Sequence, residues 1–196
     1  MAQTRKQRVL QEVQRKRRQR TLTTAIIAAL IITVIVVTVV TLPHSAANQV
    51  PLPDYLSHCI FGNLAYHAHV SLNITINGLS QGPPANTFSS SCPQPIHTHS
   101  DGYLHIETDQ VRYYTLGDWF LLYGNWANNA KFAIFNSTQI FDNKAGPGSG
   151  HTLTMTVNGS PSTAFQTLQF PKNAGTAQAP CSPTPCAPFS VAITYS

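Results

Sequence analysis

HAHVSLNITI, residues 67–76, alternates: Val70, Leu72, Ile74 and Ile76 are apolar, while His67, His69, Ser71, Asn73 and Thr75 between them are polar. Successive side chains of a β-strand point to opposite faces. The stretch therefore reads as a strand with one face for a core and a second face that begins His-x-His. It runs into Asn77-Gly78, a pair suited to the left-handed backbone of a two-residue hairpin turn.

The next informative stretch is PIHTHSDGYLHIE, residues 95–107. A two-residue turn at Asp101-Gly102 would set His97 opposite Ile106 and His99 opposite Leu104, mixing imidazoles with the apolar face. A three-residue loop, Ser100-Asp101-Gly102, with the glycine left-handed, instead opposes His97 to His105, His99 to Tyr103 and Ile96 to Ile106. A slip of one residue exchanges the faces, so burial selects the register that sorts polar from apolar. That register puts His97, His99, His105 and Glu107 on one surface.

Alternation continues at residues 132–141, 152–157, 164–170 and 190–195, broken by Gly, Asn, Asp and Pro, with Asn158-Gly159 as a second hairpin signal. One helix interrupts the pattern. In YTLGDWFLLYGNW, Thr115 caps the start, Asp118 completes a capping box, and Gly124 is placed to end it. The expected fold is all-β, a small antiparallel sandwich or barrel-like domain with one short helix at an edge, packed by Trp119, Phe120 and Leu122.

The charge is unevenly placed. Residues 1–20 carry eight Lys/Arg against Glu12, a balance of +7, and the remainder sums to −2, so the net +5 belongs to the tail. Residues 21–42 contain no charge, Gly or Pro, and at about 1.5 Å per residue they span a hydrocarbon core of roughly 30 Å. With Arg and Lys on one flank only, the positive-inside rule predicts a cytoplasmic tail (1–20), a single transmembrane helix (21–42), a linker (43–54) and an extracytoplasmic domain (55–196). HSAAN after the run offers a cleaved signal peptide as the competing reading, but the run exceeds the usual apolar region of such peptides. The lipid bilayer, contacted through residues 21–42, and a membrane protein complex are the expected partners; the tail reads as an orientation signal rather than a nucleic-acid contact.

Export implies an oxidising compartment. Four cysteines then favour disulfides over thiol chemistry, and of three connectivities Cys59 with Cys92 and Cys181 with Cys186 is favoured. The second pair would close CSPTPC inside a Pro/Ala-rich loop, residues 171–189. Sequons at Asn73, Asn136 and Asn158 are compatible with glycosylation outside the cell.

Single histidines at the surface are ordinarily just solvated, and His44, His58 and His151 read that way. His67, His69, His97, His99 and His105, paired by parity on neighbouring strands, differ. Imidazole nitrogens must converge at about 2.0–2.1 Å on a zinc ion, and strands about 4.8 Å apart bring such rings together. These five are the candidate ligands, with Glu107 and Asp101 as carboxylates that orient the rings. Imidazole suits copper, zinc, iron and nickel alike, so residue type does not select the metal; a copper or zinc ion is the expected cofactor.

The stretch from Cys59 to Gly124 also resembles an uncharacterised family of membrane-anchored or exported prokaryotic proteins, archaeal ones among them. Its pattern is matched by HAHVSLNITING, Cys92, IHTHSDGYLHIE and YTLGDWF, about a third of the chain. The resemblance implies an architecture and a histidine-rich face. Relatives commonly place an acidic residue directly after HTH, where this chain has Ser100, leaving Asp101 as the substitute.

The leading functional expectation is a membrane-tethered, extracytoplasmic copper- or zinc-binding module acting as accessory subunit, sensor or metallochaperone. A metalloenzyme with a three-histidine site, similar to α-type carbonic anhydrases or copper-zinc superoxide dismutases, is the alternative. A third is a cell-envelope interaction domain without metal. No Gly-x-Ser-x-Gly elbow, glycosidase-like carboxylate pair or phosphate-binding glycine loop is present.

Overall fold

The alternating stretch forms β1 (Tyr66–Ile76), and different halves of its length recruit different neighbours. Over residues 66–70 it pairs antiparallel with β4 (Leu104–Thr108), and over residues 71–76 it pairs with β10 (Ser190–Tyr195). At its end Asn77 and Gly78 take φ of 51° and 80°, and the chain turns back into β2 (Leu79–Ser80). β3 (Ile96–Thr98) adds outside β4, while β8 (Leu153–Val157) and β9 (Ser160–Pro161) extend the sheet beyond β10. The path β3-β4-β1-β10-β8-β9 runs edge to edge. A separate three-stranded sheet is built from β5 (Phe135–Asn136), β6 (Gln139–Ile140) and β7 (Asn143–Lys144).

The computed structural model describes residues 15–18, 50–175 and 187–196. Two units are distinguished, Met1–Ala46 and Ala47–Ser196; of the first, residues 15–18 are described, helical and exposed. The expected transmembrane segment 21–42, most of the tail, residues 43–49, the Cys181–Cys186 pairing and the middle of the 171–189 loop lie outside the described residues. Among the described residues no helix is long and apolar enough to cross a membrane.

The second unit is all-β with little helix, as alternation implies, but not wholly antiparallel. β1 and β10 run parallel, Ser71 opposite Ser190 through Ile76 opposite Tyr195. Parallel partners need a crossover, and here most of the domain lies between them. Local alternation carries no trace of such a pairing.

The even face of β1 works as expected. Val70, Leu72 and Ile74 are buried with Ile96, Leu104, Ile106, Met155, Val191 and Ile193. Helix α1 (Leu116–Trp126) supplies Leu116, Trp119, Phe120 and Leu122 to the same core. Its capping box is formed: Asp118 N donates to Thr115 Oγ1 at 3.2 Å and Thr115 N to Asp118 Oδ2 at 2.8 Å. Gly124 does not end the helix, which runs two residues further. A Cβ on it would sit 2.6 Å from the Cβ of Ala133, so glycine is needed there for close approach.

Two expected strands are replaced by tighter structure. Residues 132–141 begin in a 3-10 turn, Ala130–Ala133, and then fold into the β5–β6 hairpin. Asn136 Oδ1 accepts from Thr138 N at 2.8 Å and Thr138 Oγ1 at 2.9 Å, a side-chain turn that reverses the chain. Residues 164–170 contain the 3-10 turn Phe165–Thr167. Both segments are apolar enough to look like strands, but their side chains pack around α1. The disulfide Cys59–Cys92 is present. Of the sequon asparagines, Asn73 and Asn158 are exposed and Asn136 is half-buried.

Candidate metal centre

Three adjacent strands carry the histidines. His97 on β3 lies opposite His105 on β4, and His105 lies opposite His69 on β1, while His67 faces Glu107. Gly102, with φ of 81°, closes the 100–102 loop in the register that sorts the faces. His99, just past β3, points to the same surface, with its ring centroid 4.4 Å from that of His105. All five predicted histidines are thus brought together, and with them both predicted carboxylates.

The donor atoms converge in two overlapping groups. His97, His99, His105 and Glu107 each offer an atom within 4.8 Å of the others, and so do His67, His69 and His105. Glu107, expected only to orient a ring, thus stands among the donors themselves. His97 Nε2 and His99 Nε2 are 3.2 Å apart, as are His67 Nε2 and His105 Nδ1.

Two contacts settle which nitrogens are available. His97 Nδ1 is 2.8 Å from the carbonyl of Gln94, which can only accept, so Nδ1 carries the proton and Nε2 presents its lone pair. His105 Nε2 is 2.8 Å from Asp101 Oδ2, which fixes that nitrogen as donor and turns Nδ1 toward His67 and Glu107. Asp101 thus lies against the ring of His105. Its own position is held by Tyr103 N, which donates to Oδ1 at 3.2 Å.

The site is withdrawn from water. His97 is 1% exposed and His69 and His105 6% each, whereas His67 and Glu107 are half-buried. The cover comes from the loop between β2 and β3. Phe88 lays its ring 4.9 Å from His97 and 4.8 Å from His99, and Phe88 N donates to Thr98 O. Thr87 and Thr98 exchange side-chain hydrogen bonds beneath it. The same loop contains Cys92 and Gln94, so the Cys59–Cys92 disulfide ties down the segment that orients His97. Neither Phe88 nor the Gln94 carbonyl carried a readable signal, because a loop's landing place is not encoded in its composition.

Burial and neighbours divide the rings electrostatically. Desolvation, followed by the nearby His105 and His67 rings, lowers His69 to about 4, and desolvation lowers His97 to about 4 against the pull of the Gln94 carbonyl. Burial also lowers His99. On His105 burial acts downward, but the Glu107 and Asp101 carboxylates outweigh it and raise the pKa. The His105 and His67 rings hold Glu107 well below the usual carboxylate range. Burial thus favours the neutral rings of His69, His97 and His99, while the Glu107 and Asp101 carboxylates favour the charged form of His105. His69 Nδ1, buried in that cluster, has no hydrogen-bond partner among the described residues.

Comparison with protein-family models, with curated proteins and with solved structures gives no match to this chain.

Proposed function

We propose that this protein is a membrane-tethered, extracytoplasmic module that binds a copper or zinc ion on the histidine face of its sheet, serving as accessory subunit, sensor or metallochaperone. The observation that carries the reading is the convergence of five imidazoles and a carboxylate from three strands, their donor atoms within 4.8 Å in each group. Around an ion bound at 2.0–2.1 Å, tetrahedral donors lie about 3.3 Å apart. The spacings of 3.2 Å between His97 and His99 and between His67 and His105 suit that geometry without movement of the strands.

The buried, unpartnered His69 Nδ1 supports the same reading, since orphaned buried polar atoms are rare and commonly mark an absent ion or water. Neutral imidazoles at His69 and His97 are ligation-ready near neutral pH. The orienting contacts from Asp101 and Gln94 are of the kind that ligating histidines require. Tethering rests on the apolar run 21–42 and its one-sided basic flank.

Elemental analysis of the purified chain tests the proposal directly. Retention of copper or zinc, abolished by the combined His97→Ala/His105→Ala change, is the expected result; a protein that takes up neither ion overturns it. A metalloenzyme reading is favoured by the partial exposure of His67 and Glu107, which would leave an ion there in reach of solvent. Assays of carbon dioxide hydration and superoxide dismutation on the loaded protein separate the two readings.

A further inference from the structure

The donors outnumber what one ion can use. A four-coordinate zinc needs four ligands, whereas the face presents five imidazoles and a carboxylate in two groups that overlap at His105. The arrangement of Glu107 explains the surplus. Its Oε1 lies 3.0 Å from His67 Nε2 and 3.6 Å from His105 Nδ1, whose own separation is 3.2 Å. Its Oε2 lies 3.8 Å from His97 Nε2, which is 3.2 Å from His99 Nε2. Oε1 thus completes a triad with His67 and His105 whose edges of 3.0–3.6 Å bracket the tetrahedral value of about 3.3 Å, and Oε2 lies within reach of the His97–His99 pair.

We propose that the histidine face holds two divalent transition-metal ions bridged by the Glu107 carboxylate. One ion takes His67 Nε2, His105 Nδ1 and Glu107 Oε1, with His69 as its further ligand. The other takes His97 Nε2, His99 Nε2 and Glu107 Oε2. A syn-syn carboxylate bridge holds such ions about 3.5–4 Å apart, the spacing of two-metal sites that share a solvent ligand.

His105 belongs to both groups, but Asp101 occupies its Nε2, so its Nδ1 is left for the first ion. The second ion then has three protein donors and an open position. Its wall is the ring of Phe88, 38% exposed and lying over His97 and His99. Two divalent ions against the Glu107 and Asp101 carboxylates leave the pair cationic, so the open position favours an anionic oxygen ligand such as hydroxide.

This inference rests on the metal-binding reading but fails separately from it. The full-length chain, purified in detergent and stripped of metal, is titrated with zinc for stoichiometry and with copper(II) for paramagnetic resonance. Two equivalents of zinc are expected, together with a spin-coupled copper(II) pair. His99→Ala and the combined His67→Ala/His69→Ala change should each leave one equivalent, held by the opposite group. Glu107→Gln should abolish the coupling. A single equivalent in the unaltered chain, weakened alike by His99→Ala and by the combined His67→Ala/His69→Ala change, overturns the two-ion site while leaving metal binding intact; uptake of no ion overturns both. Stoichiometry and coupling in the unaltered chain decide the matter even where a variant fails to fold.

Discussion

On the β10–β8 half of the main sheet the outward face includes Asn73, Thr194 and Thr154, all in solvent. On the β3–β4 half the outward row is His97, His105 and His69, none more than 6% exposed. The pleat, the parity and the apolar inner face are common to both. Hydroxyls and amides facing water lose nothing, whereas buried polar rings must find partners or a charge to ligate. One difference lies in the loop of residues 81–95, which lays Phe88 over His97 and His99. The lesson is that a sheet face becomes a site when side chains able to bind are shielded from competing water.

The comparison is broken most severely by His105→Ala, which removes the ring common to both donor groups and should weaken metal binding more than any other single change, as read by competition with a chromophoric chelator. Thr194→Ala on the other half should leave affinity unchanged. Equal effects would deny the division between the halves.

The shared core comes next. Ile106→Ala behind the histidines and Ile193→Ala behind the hydroxyls, both fully buried, should each cost about 2–5 kcal/mol in chemical denaturation. Comparable losses would show that the halves differ in outer chemistry alone.

Asp101→Asn sharpens the site half specifically. Losing the anion on His105 Nε2 should weaken metal binding about 10- to 100-fold with the fold retained. Thr115→Ala, which removes the cap of α1, should cost about 1 kcal/mol of stability and leave metal affinity alone.

The mildest perturbation is pH. His69 and His97 sit at about 4 in the folded protein against 6.5 ordinarily, so between those values the unfolded chain binds more protons. Stability present above pH 6.5 is therefore lost as pH falls toward 4. Glu107, held low, acts in the same sense, while raised His105 contributes below its unfolded pKa and fades as pH climbs through the folded one. Thermal melts of the metal-free protein should show a lower midpoint at pH 4.5 than at pH 7, and a flat profile would refute the burial of neutral rings.

Legibility varied with the range of the interaction. The parity of residues 67–76, the loop register at 100–102, the two Asn-Gly hairpins and the Thr115/Asp118 cap are local, and each was readable because alternation and turn chemistry act over a few residues. Residues 132–141 and 164–170 misled for the converse reason: their apolar side chains pack on α1 rather than across a sheet, and a side-chain turn at Asn136 overrides the strand pattern. Gly124 was read as a stop signal, yet the reason for it lies nine residues on, in Ala133.

The sequence alone determined which faces of β1, β3 and β4 are polar, and so that His67, His69, His97, His99 and His105 share a surface, because pleating makes facing a matter of odd and even. Tertiary structure alone decided that β4 lies between β3 and β1, that β10 joins β1 in parallel, and that Phe88 and the Gln94 carbonyl close over His97. Those outcomes depend on which apolar faces bury each other across long stretches of chain, and no local spacing encodes that choice.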